Sequence, residues 1–105
     1  MIEPSLQAST GVALARQQIA DTDLMGAAAT LERVLIADPE AHSARLLYAS
    51  LLCRLDDAAG ARVELSFLQG QALDDGGWAE VTGACGTMTR PSADSGAAAT
   101  GEAAR

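Results

Sequence analysis

The residues that could do chemistry in this chain are few and scattered. The one histidine, His42, has Glu40 and Ser43 nearby, which are the residue types of a Ser-His-acid nucleophilic set. Such a set requires three side chains that converge in space, and nothing in the sequence indicates that these three do. We therefore interpret His42 as a partly exposed residue in the first turn of a helix.

Two acidic pairs, Asp56-Asp57 and Asp74-Asp75, are candidates for metal binding because clustered carboxylates bind cations. Each pair lies next to a turn, where an aspartate can instead cap the following helix by accepting from its free backbone amides. The Gly76-Gly77 pair lacks the lysine of a phosphate-binding loop. We therefore expect no metal site, no cofactor and no enzymatic activity.

Charge and hydropathy restrict the partners. The 105-residue chain has room for one domain and carries a net charge of −7, with arginine as its sole basic residue type. An acidic chain repels phosphate backbones, so we expect no nucleic-acid partner. No apolar run reaches the roughly 18–20 residues of a membrane span, and no signal peptide is visible. We expect a cytoplasmic location by default, and a periplasmic one if the chain is cut from an exported precursor.

The composition favours helices, because alanine and leucine dominate the apolar residues and aromatics make up only 3%. Apolar residues recur at helical spacing and turn residues separate them. The pattern predicts an all-α fold with helices over about 11–20, 24–37, 40–55, 58–70 and 78–85, the last interrupted by Gly83. Residues 1–89 form the predicted domain, and the Ala/Gly-rich residues 90–105 form a predicted disordered tail.

The strongest signal is an internal repeat, with a period of about 34 residues. Sliding the chain by this amount places large apolar residues on large ones and small residues on small ones. The matched positions are Leu14-Ala15 with Tyr48-Ala49, Ala27 with Ala61, Leu31 with Leu65, and Val34 with Leu68. Small residues allow two helices to approach closely, and a bulky residue fills the space one turn later.

At these positions, and at Pro39, the sequence resembles the tetratricopeptide repeat family. The resemblance covers about residues 8–86, and Trp78 falls within one residue of the family's signature tryptophan in a partial third copy. Gly11 and Arg45 depart from the pattern, since they occupy the tryptophan place in the first two copies. The resemblance implies an antiparallel helix-hairpin solenoid of about two and a half repeats. An ordinary helical bundle with accidental phasing is the alternative.

The resemblance also implies a binding groove, because the first helices of such repeats line a concave face. The family's geometry implies that seven residues of this chain lie in the groove, namely Val12, Arg16, Ile19, Leu46, Ser50, Arg54 and Leu55. Arg16 and Arg54 would each bind a partner's carboxylate with both nitrogens of the guanidinium. The alternative is that both arginines are simply solvated.

Cys53 and Cys85 fall at the same place of neighbouring first helices in the family's arrangement, once the early start of the third copy is allowed for. Stacked repeats lie side by side, so the resemblance implies that the two thiols could come close enough for a disulfide in an oxidising compartment. Two reduced cysteines packed as small hydrophobic residues are the alternative.

These observations favour a non-enzymatic scaffold or adaptor that binds a peptide or a helix of a protein partner. Two and a half repeats leave apolar ends uncovered, so we also expect self-association or docking onto another subunit. The alternative is the repeat portion of a larger bacterial envelope or periplasmic assembly protein. The segments Ala44–Ala49, Arg54–Asp57 and Ala61–Leu65 are similar to the repeat domains of bacterial surface lipoprotein assembly modifiers.

Overall fold

The computed structural model describes residues 8–86, 90 and 91, and this part of the chain is helical with no strand. The all-α prediction is confirmed. Five helices follow one another: α1 (Ala8–Ala20), α2 (Leu24–Ala37), α3 (His42–Arg54), α4 (Ala58–Ser66) and α5 (Asp75–Cys85). Short turns connect α1 to α2 and α3 to α4.

The turns before α2 and α4 have the same capping geometry and lie one repeat period apart. The Asp23 carboxylate accepts a hydrogen bond from the Gly26 amide at 3.0 Å, and the Asp57 carboxylate accepts one from the Gly60 amide at 2.8 Å. These bonds satisfy amides that have no partner within the helix. A Cβ at Gly26 or Gly60 would collide with the capping carboxylate, so glycine is the residue that permits this close approach.

The residue before each cap is held in the left-handed region, with φ of 60° at Thr22 and 64° at Asp56. This conformation costs non-glycine residues energy, and it reverses the chain within a short turn. The same backbone bond closes both turns, because the amides of Asp23 and Asp57 donate to the carbonyls of Gln18 and Leu52 at 2.7 and 2.8 Å. The repeat period therefore extends from the apolar pattern to the turns.

Helix α3 is the centre of the fold, since α1, α2, α4 and α5 all pack against it. Its buried side chains point in two directions. Ala44, Leu47 and Leu51 join α1 and α2 in one core cluster, whereas Leu46 and Ala49 join α4 and α5 in a second. The small residues let the neighbouring backbones come close, and the leucines fill the spaces between them.

Residues at matched positions of the repeat are buried to a closely similar extent. Ala15 and Ala49, Ala27 and Ala61, and Val34 and Leu68 have no exposed surface, while Leu31 and Leu65 expose 0% and 4%. Leu14 is the exception, because its side chain is exposed whereas its counterpart Tyr48 is half-buried.

Several predicted helix ends were wrong by a few residues. Helix α3 begins at His42 because the Asp38 carboxylate accepts from the Glu40 amide and holds residues 38–41 in a turn. Helix α4 ends at Ser66, before the turn that contains Gly70, although Leu68 is still buried. Helix α5 begins at Asp75, because Asp74 caps it by accepting from the Gly77 amide at 2.8 Å.

Helix α5 is continuous through Gly83, contrary to the predicted interruption.

Of the predicted tail, only Arg90 and Pro91 are described. The Arg90 guanidinium donates to the Leu73 carbonyl at 3.0 Å and to the Asp75 carboxylate at 2.8 Å, and Pro91 is buried. Residues 1–7, 87–89 and 92–105 lie outside the described residues. Within the described part, every helix is too short or too polar to cross a membrane.

Removing either cap should destabilise the domain by a similar amount. We expect Asp23→Ala and Asp57→Ala each to lower the free energy of unfolding by about 1 kcal/mol, because each leaves a helix amide without its acceptor. Urea unfolding followed by circular dichroism measures the change. Asp21→Ala is the matched control, since Asp21 caps no helix. Equal losses for Asp21 and Asp23 would contradict the capping assignment.

Candidate functional site

A groove runs along one face of α3, with α1 on one side and α5 on the other. Helix α3 contacts both neighbours, so it forms the floor of the groove. Two cavities of about 270 Å³ each open along this face. We call the first, lined by His42, Leu46 and Asp74, the histidine pocket, and the second, lined by Ile19, Ser50 and Arg54, the arginine pocket.

An ion pair connects the two walls of the groove. The Arg16 guanidinium on α1 donates two hydrogen bonds to the Glu80 carboxylate on α5, at 2.6 and 2.9 Å. Both residues line both pockets, so the pair lies between them and divides the groove. The hydrogen bond from Arg16 is the main cause that lowers the pKa of Glu80, and the same bond raises the pKa of Arg16.

The two arginines predicted for the groove differ in their partners. Arg16 was expected to be open to a partner's carboxylate, but its guanidinium is already bound to Glu80 in the same chain. Arg54 is exposed and makes no side-chain hydrogen bond or ion pair with another of the described residues, although its charge also helps to lower the pKa of Glu80. Of these two arginines, Arg54 is therefore the one that presents its guanidinium to a ligand without first breaking an internal ion pair.

The remaining predicted groove residues fall into two groups. Ile19 and Ser50 line the arginine pocket and Leu46 lines the histidine pocket, but Leu46 and Ser50 expose only 4% of their surface. The Ser50 hydroxyl donates to the Leu47 carbonyl at 2.8 Å. Val12 and Leu55 are half-buried and pack against the first core cluster. These residues thus form the floor and the support of the groove more than its accessible surface.

Cys53 and Cys85 are joined by a disulfide, with their Cα atoms 5.2 Å apart. The bond connects the C-terminal ends of α3 and α5, and both cysteines are half-buried beside the second core cluster. It therefore connects the floor of the groove covalently to one wall.

Two of the metal-binding candidates cap helices, and the candidate histidine lies beside a glutamate. Nε2 of His42 lies 3.6 Å from the Glu40 carboxylate at the mouth of the histidine pocket. Asp57 and Asp74 cap helices, as the turn positions predicted. No group of three or more His, Cys, Asp or Glu side chains among the described residues could hold a metal ion.

A second polar cluster lies on the other side of α3. The Arg45 guanidinium donates to Glu64 at 2.6 Å and to the Pro39 carbonyl at 3.1 Å, and it lies 4.7 Å from the centre of the Phe67 ring. The Glu64 side chain is only 17% exposed because it pairs with Arg45. Tyr48 donates to Glu32, and burial followed by this bond raises its pKa.

Glu80 and Gly83 both line the arginine pocket, although the sequence did not indicate either as a groove residue. Glu80 is 64 residues from Arg16, so no local spacing could have indicated their contact. Comparison of the chain with protein-family models, with curated proteins and with solved structures finds no match. The groove must therefore be interpreted from its own residues.

The Arg16–Glu80 pair should contribute a small, pH-dependent part of the stability. Both side chains are more than a third exposed, so we expect Glu80→Gln to lower the free energy of unfolding at neutral pH by less than about 1 kcal/mol. Because the pKa of Glu80 is lowered in the folded state, this contribution is present above the ordinary carboxyl pKa. It is lost as the pH falls through the folded pKa.

Thermal unfolding of both proteins between pH 7 and pH 2 measures this effect. Glu40→Gln is a control of equal charge change, because the Glu40 side chain is 84% exposed. A difference between Glu80→Gln and the parent chain that persists undiminished at pH 2 would contradict the assignment of the ion pair.

Proposed function

We propose that this chain is a non-enzymatic helical-repeat module that binds a peptide or helix of a protein partner in the groove over α3. The observation that carries the proposal is the groove itself, walled by α1 and α5 and floored by α3. It combines the half-buried apolar side chain of Ile19 with the exposed guanidinium of Arg54, above a floor that includes Leu47. Mixed grooves of this kind suit an extended or helical segment with an apolar anchor and a carboxylate.

The repeated geometry supports the interpretation as a short solenoid of tetratricopeptide-like hairpins. Asp23 and Asp57 cap their helices in the same way, and apolar positions one period apart have matching burial. Helices α1, α3 and α5 would then be the first helices of successive repeats, and they are the three that form the groove. Arg45 stands at the family's tryptophan place, where its half-buried guanidinium pairs with Glu64 on the second helix of the same hairpin.

The scaffold function is tested by filling the groove. Gly83 lies on the exposed side of α5 in the arginine pocket, and an added Cβ there meets no atom within 4 Å. We expect Gly83→Trp to occupy the pocket without disturbing the helix and to weaken partner binding at least tenfold. Ala29→Trp is the matched control, because Ala29 is exposed on α2, outside the groove walls.

A displayed library of random peptides supplies the ligands. Peptides enriched on the parent chain are titrated against the parent, the Gly83→Trp variant and the Ala29→Trp variant by fluorescence anisotropy. Equal dissociation constants for the two tryptophan variants would contradict a binding function of the groove, as would the failure of any peptide to enrich.

A second candidate is the repeat portion of a larger bacterial envelope or periplasmic assembly protein, and the Cys53–Cys85 disulfide favours it. Disulfides persist mainly in oxidising compartments and are rare in the cytoplasm. We expect both cysteines to escape alkylation when cells of the source organism are quenched in acid and the denatured protein is treated with a maleimide mass tag. Two tags per chain would place the protein in a reducing compartment and would contradict this candidate.

A further inference from the structure

We propose that the Cys53–Cys85 disulfide is a redox-controlled latch that keeps α5 docked on α3, so that reduction by a dithiol releases α5 and removes one wall of the groove. The bond joins the ends of the two helices, and no other cysteine is present among the described residues. The latch is a property of the fold and does not depend on which partner the groove binds.

Apart from this bond, α5 rests on α3 with few buried side chains. Among its eleven residues, Val81 is the only buried one, whereas Trp78 and Cys85 are half-buried against the second core cluster. Its main packing is against α3, and it has no partner helix of its own, unlike α1 with α2 and α3 with α4. Few buried apolar contacts are typical of segments that open locally while the rest of a protein stays folded.

The composition of α5 also disfavours an independent helix. Gly76, Gly77 and Gly83 lie within it, and glycine is one of the poorest helix formers. A helix as short as this one is marginal in water even with good helix formers. The helix therefore depends on being held against α3.

The polar contacts of α5 cannot replace the covalent bond. The Arg16–Glu80 pair and the Arg90–Asp75 pair are both solvent-exposed, with side-chain exposures of 40% or more. Such exposed ion pairs contribute little to stability. A disulfide acts differently, because it limits how far α5 can move from α3 even when the non-covalent contacts are broken.

The remainder of the fold does not share this dependence. The first core cluster is built from α1, α2 and α3 with the residue Ala41, and no residue of α5 belongs to it. The second cluster retains Leu46, Ala49, Ala61, Leu65 and Leu68 when Val81 departs. Release of α5 would therefore uncover Leu46 and its neighbours and free Arg16 from Glu80, while α1–α4 stay folded.

The chemical step is thiol–disulfide exchange. A thiolate of the dithiol attacks one of the two sulfurs, forms a mixed disulfide with it and releases the other cysteine as a thiolate. The second thiol of the reductant then displaces the first cysteine. Two electrons and two protons pass to Cys53 and Cys85, which become thiols, and the reductant becomes a disulfide. Both cysteines are half-buried, so the bond lies close to the surface from which a thiolate would approach.

Hydrogen exchange of the full chain, with and without dithiothreitol, tests the latch. On reduction we expect the exchange rates of the α5 amides to rise by roughly a hundredfold or more, and those of α2 to change by less than about threefold. The Trp78 emission should shift to the red, because this tryptophan lies half-buried on α5 and is the only one in the chain.

The Cys53→Ser/Cys85→Ser double variant is the matched control. It should show the fast α5 exchange with or without dithiothreitol, which excludes any other effect of the reductant. Unchanged protection of α5 in the reduced parent chain would overturn the proposal. Equal loss of protection in α2 and α5 would also overturn it, since the bond would then hold the whole fold together. Loss of peptide binding by Gly83→Trp is a separate measurement, so the groove and the latch can fail independently.

Discussion

The packing of four helices around α3 is the constraint on which the rest of the structure depends. Helix α3 contributes to both core clusters, so a change in its small residues would disturb both sides of the molecule at once. Its alanines are fully buried because the neighbouring backbones lie close to it. The face of α3 that remains between α1 and α5 is the groove. The candidate site is thus a direct consequence of how the central helix is surrounded.

The contacts between the groove walls are more exposed than those in the core, so they can be replaced more easily. Its walls are joined across α3 by the exposed Arg16–Glu80 pair, which a charged ligand could replace at little cost in stability. Its α5 wall has one fully buried side chain, two half-buried ones, exposed ion pairs and one disulfide. Helices α1, α2 and α3 by contrast share the first core cluster, whose central residues are almost completely buried. Binding and redox control would therefore act on the helix with the fewest buried residues, and such segments commonly open locally.

Much of the architecture could be predicted from the sequence because its causes are local. Helical spacing of Leu31 and Leu65 predicted their burial, and the aspartates at positions 57 and 74 predicted caps. The helix ends were less predictable. The Asp74 carboxylate accepts from the Gly77 amide, so α5 begins earlier than predicted. Gly83 remains helical because α5 packs along α3. The family resemblance implied that the two cysteines lie side by side. It left open whether they form a disulfide or remain two buried thiols.

The helical class, the repeat period and the acidic, lysine-free composition follow from residue type and spacing alone. Which side chains meet, by contrast, depends on how the helices pack. Glu80 reaches Arg16 from 64 residues away, Glu64 turns inward to Arg45, and Cys53 bonds to Cys85. Such pairings depend on the distance and rotation between packed helices. Those quantities are set by the fit of many side chains at once, and no single segment of sequence contains them.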